Sequence, residues 1–196
     1  MATKKTAKAT KATKAKKSAS ASSMKLDKAA IDRARRSLDD GAVTPSNKDT
    51  TEEIIKLLND SLATEIVCVL RYKRHHFTAK GLESPAIAAE FLVHANSESG
   101  HADRIAERIV QLGGEPDFNP DTLTKRSHAE YNDDTSLAAM IKSNLIAERV
   151  AVETYRQIAV LIGDKDPTTR RLIESILEDE EEHADELADW MERVKV

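Results

Sequence analysis

Hydrophobic residues recur at alternating steps of three and four along four long stretches of the chain, which is the spacing of helices with one apolar face. Capping signals mark where two of the stretches begin: Thr50 to Glu53 form a capping-box pattern, and Asp166-Pro167 opens the last stretch. The predicted helices span residues 50–81, 84–113, 135–163 and 166–196. Each would be about 28 residues, or about 42 Å, long.

The connections between these helices predict how they pack. Two are short, GLES at 81–84 and GDKD at 163–166, so the helices that they join are antiparallel neighbours. The middle connection, residues 113–135, is long enough to run the length of the bundle. We therefore predict an all-α fold in which residues 50–196 form a four-helix bundle with one long crossover between its second and third helices.

The apolar seam of each predicted helix contains charged residues where core side chains are expected. The four seams read Leu58, Leu62, Glu65, Val69, Tyr72; Phe91, His94, Glu98, His101, Ile105; Ile141, Leu145, Glu148, Val152, Tyr155; and Ile176, Glu180, His183, Leu187, Trp190. Every helix contributes one core glutamate, and the second and fourth add a histidine three residues later. Burying such charges is costly unless they are paired or bind a metal.

The spacing of these charged residues repeats between the two halves of the bundle. Glu65 precedes the first Glu-x-x-His pair by 33 residues, and Glu148 precedes the second by 32. A pseudo-twofold axis relating the halves would bring all four glutamates to one level. Four carboxylates and two imidazoles in a dry core favour two divalent cations, iron or manganese in preference to zinc or copper. One Glu-x-x-His is often only a solvated pair, but two copies in register predict a dinuclear centre.

Charge is distributed unevenly along the chain, although its net charge is only −4. Residues 1–25 contain eight lysines and no acidic residue, which leaves 22 basic against 34 acidic residues in residues 26–196. Because this tail has almost no large apolar group, we predict that it is disordered. Its lysines suit the phosphate backbone of DNA, although a solubilising tail has the same composition. Residues 26–49 form a charged extension between the tail and the bundle.

Cysteine content and hydropathy restrict the class of protein. The single cysteine, Cys68, excludes an intrachain disulfide framework and any CxxC metal or redox module, which fits a reducing cytosol. No run of about 18 apolar residues and no signal peptide are recognisable. We therefore predict a cytoplasmic protein without membrane association, which lies at the nucleoid if the tail binds DNA.

From Glu52 to about Val194 the sequence resembles bacterioferritin and the wider ferritin-like family. The stretches that carry the resemblance are SLATEIVCVLRYKRHH, ESGHADRIAERI, NLIAERVAVETY and ILEDEEEHADEL. The resemblance implies a ferroxidase that binds two iron ions per subunit, for which manganese or zinc can substitute. The implied ligands are the terminal Glu65 and Glu148, the bridging Glu98 and Glu180, and the imidazoles of His101 and His183. Such proteins oxidise Fe(II) with oxygen or peroxide and store Fe(III) as mineral in an oligomeric cage.

Two departures from bacterioferritin modify this expectation. Ser99 replaces the haem-ligating methionine that follows the first bridging glutamate in that family, so no haem is expected. Only 13 residues follow His183, too few for the family's fifth helix. The basic tail and the missing helix resemble the Dps type (DNA-binding protein from starved cells), which implies a homo-oligomer of twelve subunits, with twenty-four as the alternative. Because all six implied ligands lie within one chain, the sequence resembles the Dps-like group that has a bacterioferritin-type centre. That group typically also has a pair of cysteines, and this chain has only Cys68.

Further seam residues have candidate roles around the centre. Tyr72 is expected to hydrogen-bond a ligand carboxylate or to supply an electron, and Tyr155 either does the same or is a core tyrosine. His94 either packs as a partly buried histidine or relays iron to the centre. Cys68 is expected to be a small buried hydrophobe. The remaining histidines are predicted to lie at the surface: His75, His76 and His128.

These observations predict a di-iron ferroxidase that stores iron and consumes oxidant, and so protects DNA to which its tail binds. A manganese catalase or another di-metal oxidase would use the same ligands, but such enzymes usually need a substrate pocket or a reductase partner. A structural nucleoid protein, whose metals only hold the bundle together, would compact DNA with little oxidation of Fe(II).

Overall fold

The computed structural model describes residues 25–36, 38–82 and 84–194. Their helices are α1 (Lys28–Ala34), α2 (Thr51–Thr78), α3 (Ser84–Gln111), α4 (Leu123–Arg126), α5 (Leu137–Ile162) and α6 (Pro167–Val194). These residues contain no strand, so the predicted all-α fold is confirmed. None of their helices is both long and apolar enough to span a bilayer. The predicted basic tail lies outside the described residues, except for Lys25.

The four long helices pack as two antiparallel pairs. α2 lies along α3 and α5 lies along α6, and a connection of a few residues joins each pair. Residues 112–136 carry the chain from α3 to α5 and include α4, which packs against α2. This arrangement is the predicted four-helix bundle with one long crossover.

The crossover is fastened to α2 by hydrogen bonds from side chains of the helix to main-chain carbonyls of the crossover. They run from Asn59 to Glu115 (3.2 Å), from Arg71 to Glu130 (2.9 Å) and from Arg74 to Asp134 (3.0 Å). These donors are spread over four turns of α2, so the crossover follows that helix for much of its length.

Two apolar clusters fill the bundle, one toward each end. The first cluster includes Leu58, Leu62, Ile105, Ile109, Ile158, Ile162, Ile173 and Ile176. The second cluster includes Cys68, Tyr72, Ile87, Phe91, Met140, Ile141 and Leu187. On every long helix, the core glutamate identified in the sequence lies between the residues of the two clusters. The charged residues therefore form a polar layer with an apolar cluster on either side.

The capping box predicted at the start of α2 is wrong. The Thr50 hydroxyl makes no cap bond and instead donates to the carbonyl of Asn47 at 3.2 Å. A 3-10 turn at Lys48–Thr50 leads directly into α2, and it gives Thr50 a helical backbone (ψ −1°) where a capping side chain needs an extended one.

The start of α6 is capped as the Asp166-Pro167 pattern predicts. Asp166 Oδ1 accepts the main-chain N–H groups of Thr168 (3.1 Å) and Thr169 (3.0 Å). Its carboxylate also accepts two hydrogen bonds from Arg108 Nη2 of α3, at 3.1 and 2.9 Å. Asp166 is 3% exposed, so one buried carboxylate both starts α6 and ties it to α3.

We expect the substitution Asp166→Ala to lower the free energy of unfolding by about 3–5 kcal/mol, because it removes the cap and leaves the buried Arg108 guanidinium unpaired. Urea denaturation of the metal-free protein would measure this change. Thr168→Ala is the matched control, because its exposed side chain makes no bond to Arg108. A loss below about 1 kcal/mol for Asp166→Ala, as expected for a surface residue, would contradict the assignment.

Candidate metal centre

The six ligands predicted from the sequence lie in the polar layer and converge on one another. Their donor atoms form two groups, and within each group all the atoms lie within 4.8 Å of one another. The first group contains Glu65, Glu98, His101 and Glu180, and the second contains Glu98, Glu148, Glu180 and His183. Each group has the size and the ligand types for one cation, and the two groups share Glu98 and Glu180.

Each histidine of the layer faces carboxylates through its Nδ1 atom. His101 Nδ1 lies 3.0 Å from Glu98 Oε2, 3.2 Å from Glu180 Oε1 and 3.5 Å from Glu65 Oε2. His183 Nδ1 lies 3.4 Å from Glu98 Oε1, 3.5 Å from Glu180 Oε2 and 4.0 Å from Glu148 Oε2. His101 therefore contacts the shared carboxylates as a member of the first group, and His183 contacts them as a member of the second, as the internal repeat predicts.

Three buried atoms of the layer have no hydrogen-bond partner: Glu98 Oε1, Glu180 Oε2 and His183 Nδ1. Both glutamates are 1% exposed, so bulk water does not compensate for the missing bonds. Carboxylate oxygen and imidazole nitrogen are donors that suit iron and manganese. The residues therefore fit a pair of such cations, which would bind all three atoms.

Burial of so many carboxyl groups shifts their pKa values. Burial raises the pKa of Glu65 well above its ordinary value, and the charges of Glu180 and Glu98 add to the effect. Burial raises the pKa of Glu148 in the same way, with Glu98 and Glu180 again adding to it. Without metal, burial and the neighbouring carboxylates therefore favour the protonated forms of Glu65 and Glu148.

The pKa values of the two imidazoles in the layer are also raised, for a different reason. Burial alone would lower the pKa of His183, but Glu180 and Glu98 outweigh that effect and raise it to about 10. Burial is likewise outweighed at His101, whose pKa lies well above its ordinary value because of Glu180, Glu65 and Glu98. Conversely, His101 and His183 hold the pKa of Glu98 well below its ordinary value, although burial alone would raise it. Without metal, the neighbouring carboxylates therefore favour the protonated forms of both imidazoles.

Two buried tyrosines tie the halves of the bundle together. The Tyr72 hydroxyl donates to Glu148 Oε1, and the Tyr155 hydroxyl donates to Glu65 Oε1. Each tyrosine thus bonds the glutamate of the other half, and both are at most 1% exposed. Tyr72 bonds a carboxylate of the layer as predicted, and Tyr155 makes the equivalent bond. Such bonds fix the orientation of the carboxylates.

The two histidines of the layer have different surroundings on their outer sides. His101 Nε2 lies 3.1 Å from Asp179 Oδ2, and that carboxylate also lies 3.7 Å from Arg104 Nη1. His183 instead stacks on the ring of His94, with ring centroids 4.2 Å apart. This difference was not predictable from the sequence, because Asp179 comes from the same helix as His183 but bonds the histidine of α3.

His94 is fully buried, in contrast to the partly buried packing histidine considered from the sequence. Its Nδ1 lies 3.1 Å from the Tyr72 hydroxyl, and its Nε2 lies 2.9 Å from Glu186 Oε2 and 3.6 Å from Glu90 Oε1. Sequence analysis missed Glu186, which follows His183 by three residues on α6. Its proximity to His94 depends on how α3 and α6 pack.

The prediction that His75 lies at the surface is wrong, because His75 belongs to a second buried polar network. His75 is fully buried, because α5 and the crossover cover the turn of α2 that follows Tyr72. Its Nδ1 lies 3.0 Å from Asn144 Nδ2, and Asn144 Oδ1 accepts a hydrogen bond from Arg71 Nε at 2.8 Å. Cys68 is buried as expected, and its sulfur accepts a hydrogen bond from Arg71 Nη2 at 3.5 Å.

Comparison with known proteins identifies relatives of this chain. The family model of the ferritin-like domain matches residues 55–196. A bacterioferritin of Desulfovibrio desulfuricans is 27% identical over 139 residues, which cover 70% of this chain and 74% of the relative. A nutrient stress-induced DNA-binding protein of Synechococcus sp. is 30% identical over 146 residues, which cover 72% of this chain and 82% of the relative.

Solved structures agree with the sequence comparison. A dodecameric thioferritin, the bacterioferritin-related protein of Bacteroides fragilis, superposes with a TM-score of 0.72 at 26% identity and covers 86% of this chain and 95% of its own. The resemblance drawn from the sequence motifs is thereby confirmed. The chain belongs to the ferritin family, with a ferritin-like domain over residues 55–196.

Proposed function

We propose that the protein is a ferroxidase that oxidises Fe(II) at an intrasubunit dinuclear centre and stores the product as Fe(III). The observation that carries the proposal is the pair of four-ligand groups that share Glu98 and Glu180. In this assignment Glu65 and His101 complete one metal position, and Glu148 and His183 complete the other. Membership of the ferritin family supports iron storage and protection against oxidants as the general role.

Fe(II) is the substrate of this reaction, and each of two bound ions gives up one electron to oxygen or peroxide. Glu98 and Glu180 would hold the two ions side by side, because each carboxylate has one oxygen for either position. Tyr72 and Tyr155 would keep the terminal carboxylates aimed at the ions. The apolar clusters on both sides exclude water from the layer, so the ligands are not exchanged for solvent.

In the metal-free layer, protons would neutralise the buried carboxylates that cations neutralise after metal loading. The raised pKa values of Glu65, Glu148, His101 and His183 favour protons that a metal ligand must lose. Metal loading would therefore exchange protons for cations, which limits the charge added to the dry core.

The relatives support a proposal for assembly and location. The thioferritin of Bacteroides fragilis is dodecameric, and a relative from Synechococcus is named as DNA-binding. We include in the proposal a homo-oligomeric cage of twelve subunits, in the cytoplasm, whose lysine-rich residues 1–25 bind DNA without sequence preference. A cage held on DNA would remove Fe(II) and peroxide where their reaction would damage bases.

The same ligands suit manganese, so a manganese catalase or another di-metal oxidase is the alternative catalytic assignment. An oxidase of an organic substrate needs a pocket beside its metals. The groove of about 600 Å³ between α5 and α6 contains Arg149, Arg156 and Glu181 but none of the six ligands. A structural nucleoid protein would use the same bundle without turnover of Fe(II).

An anaerobic titration of metal-free protein with Fe(II) should show about two tightly bound ions per chain, and added oxygen or peroxide should then oxidise them rapidly. Glu98→Ala or Glu180→Ala should slow the oxidation at least about tenfold, because each removes a ligand of both ions. Absorbance of Fe(III) in stopped flow measures the rate. The exposed Glu182→Ala on the same helix is the control. No saturation and no acceleration over buffer would contradict the ferroxidase assignment and leave a manganese or structural centre.

Binding of Mn(II) to metal-free protein should release protons between pH 6 and pH 8, because the pKa of His183 is raised to about 10 and the raised pKa values of Glu65 and Glu148 favour their protonated forms. Apparent Mn(II) affinity should therefore rise with pH. A pH indicator in weakly buffered solution measures the release. Glu65→Gln, which mimics the protonated acid, should release about one proton fewer per chain. Binding without proton release would refute the protonated state of the layer.

Removal of residues 1–25 should abolish salt-sensitive retention of DNA and leave Fe(II) oxidation intact, because the tail holds eight lysines and the rest of the chain is acidic. Gel shifts at several salt concentrations measure the binding. Replacing the eight lysines by glutamine in a chain of full length separates charge from length. A truncated protein that still shifts DNA would show that the tail is not the DNA-binding segment.

A further inference from the structure

A third cluster of ligand-type side chains lies beside the dinuclear centre and is not used by it. Glu90 and His94 are one turn apart on α3, and Glu186 faces them from α6. Their donor atoms all lie within 4.8 Å of one another. The His94 side chain is fully buried, whereas those of Glu90 and Glu186 are 27% and 42% exposed. The cluster therefore connects solvent with the buried layer.

The hydrogen bonds of His94 determine which of its ring nitrogens can bind a cation. The single proton of the Tyr72 hydroxyl goes to Glu148, so the hydroxyl oxygen can only accept from His94 Nδ1. When the imidazole is neutral, its one proton therefore lies on Nδ1 and Nε2 presents a lone pair. That lone pair faces Glu186 Oε2 at 2.9 Å and Glu90 Oε1 at 3.6 Å, and carboxylate oxygens are acceptors too. Three acceptors thus converge where a cation would bind.

We propose that Glu90, His94 and Glu186 form a third divalent-cation site, which passes Fe(II) between solvent and the dinuclear centre. Two carboxylates and one imidazole are donors that suit iron and manganese. Two of the three ligands are partly exposed, so an ion at this site keeps water ligands and exchanges readily.

The position of the cluster supports a transfer role. His94 stacks on His183 at 4.2 Å, and the donor atoms of His94, Glu148 and His183 also lie within 4.8 Å of one another. An ion at the third site is therefore adjacent to the Glu148 and His183 position. This transfer role rests on the proposed ferroxidase function, whereas cation binding at the cluster does not.

The internal repeat shows that the third site exists in only one half of the bundle. The repeat aligns Glu98 with Glu180, and it thereby aligns Glu90, His94 and Glu186 with Leu172, Ile176 and Arg104. Two apolar residues and a cation cannot form a metal site. On that side Arg104 and Asp179 lie outside His101 instead. Fe(II) would therefore enter or leave at the His183 end of the centre.

Equilibrium dialysis against Mn(II) under argon, followed by metal analysis, tests the site by counting ions. At Mn(II) concentrations above those that fill the dinuclear centre, wild-type protein should bind a third, more weakly held ion per chain, and the double variant E90Q/E186Q should bind only two. E182Q, which makes the same change at an exposed residue of α6, should still bind three. Retention of two ions in E90Q/E186Q shows that this variant is folded. The third site is refuted if wild type binds only two ions or if E90Q/E186Q binds as many as wild type.

Two further measurements separate the site from its transfer role and from the proposed function. In stopped flow, E90Q/E186Q should need a higher Fe(II) concentration than E182Q for half-maximal oxidation, and an equal concentration would refute transfer through the site. E98A should lose dinuclear ions but keep the ion at the third site. If E98A binds as much Mn(II) as wild type, the dinuclear assignment fails, and the E90Q/E186Q count still decides the third site.

Discussion

The organisation of this bundle depends on how four glutamates in one buried layer are neutralised. Carboxylates so close together in a dry core cannot all remain charged without cations or protons. Two imidazoles and two phenol hydroxyls lie against these carboxyl groups, and the pKa values of Glu65 and Glu148 are raised. Every polar group of the layer therefore serves the same electrostatic requirement, and the apolar clusters on both sides make that requirement stringent.

The side chains of the layer suit both a metal-free and a metal-bound state of the bundle. Without metal, the raised pKa values of Glu65 and Glu148 favour neutral carboxyl groups between the two apolar clusters. In the proposed metal-bound state, the same side chains would become ligands. The crossed tyrosine bonds hold the terminal carboxylates in both states, because each phenol bonds an oxygen of the opposite half.

The sequence predicted the bundle and its polar layer well, because both depend on helical periodicity. Core glutamates and histidines lie on the seam of each helix, and seam positions must meet in a bundle with short connections. Contacts that depend on the rotation of neighbouring helices were not predictable. Glu186 meets His94 only because α6 packs against α3 in one register, and His75 is buried only because the crossover covers its turn. The capping box failed because a 3-10 turn leads into α2.

The fastening of the crossover to α2 has a consequence for how the protein can diverge. Asn59, Arg71 and Arg74 grip main-chain carbonyls, which every residue type possesses. The identities of the residues that supply those carbonyls, Glu115, Glu130 and Asp134, are therefore unconstrained by these bonds. Mutations in the crossover can therefore change this surface of the bundle without changing the buried polar layer. The core residues of the four long helices lack this freedom, because their side chains fill the bundle.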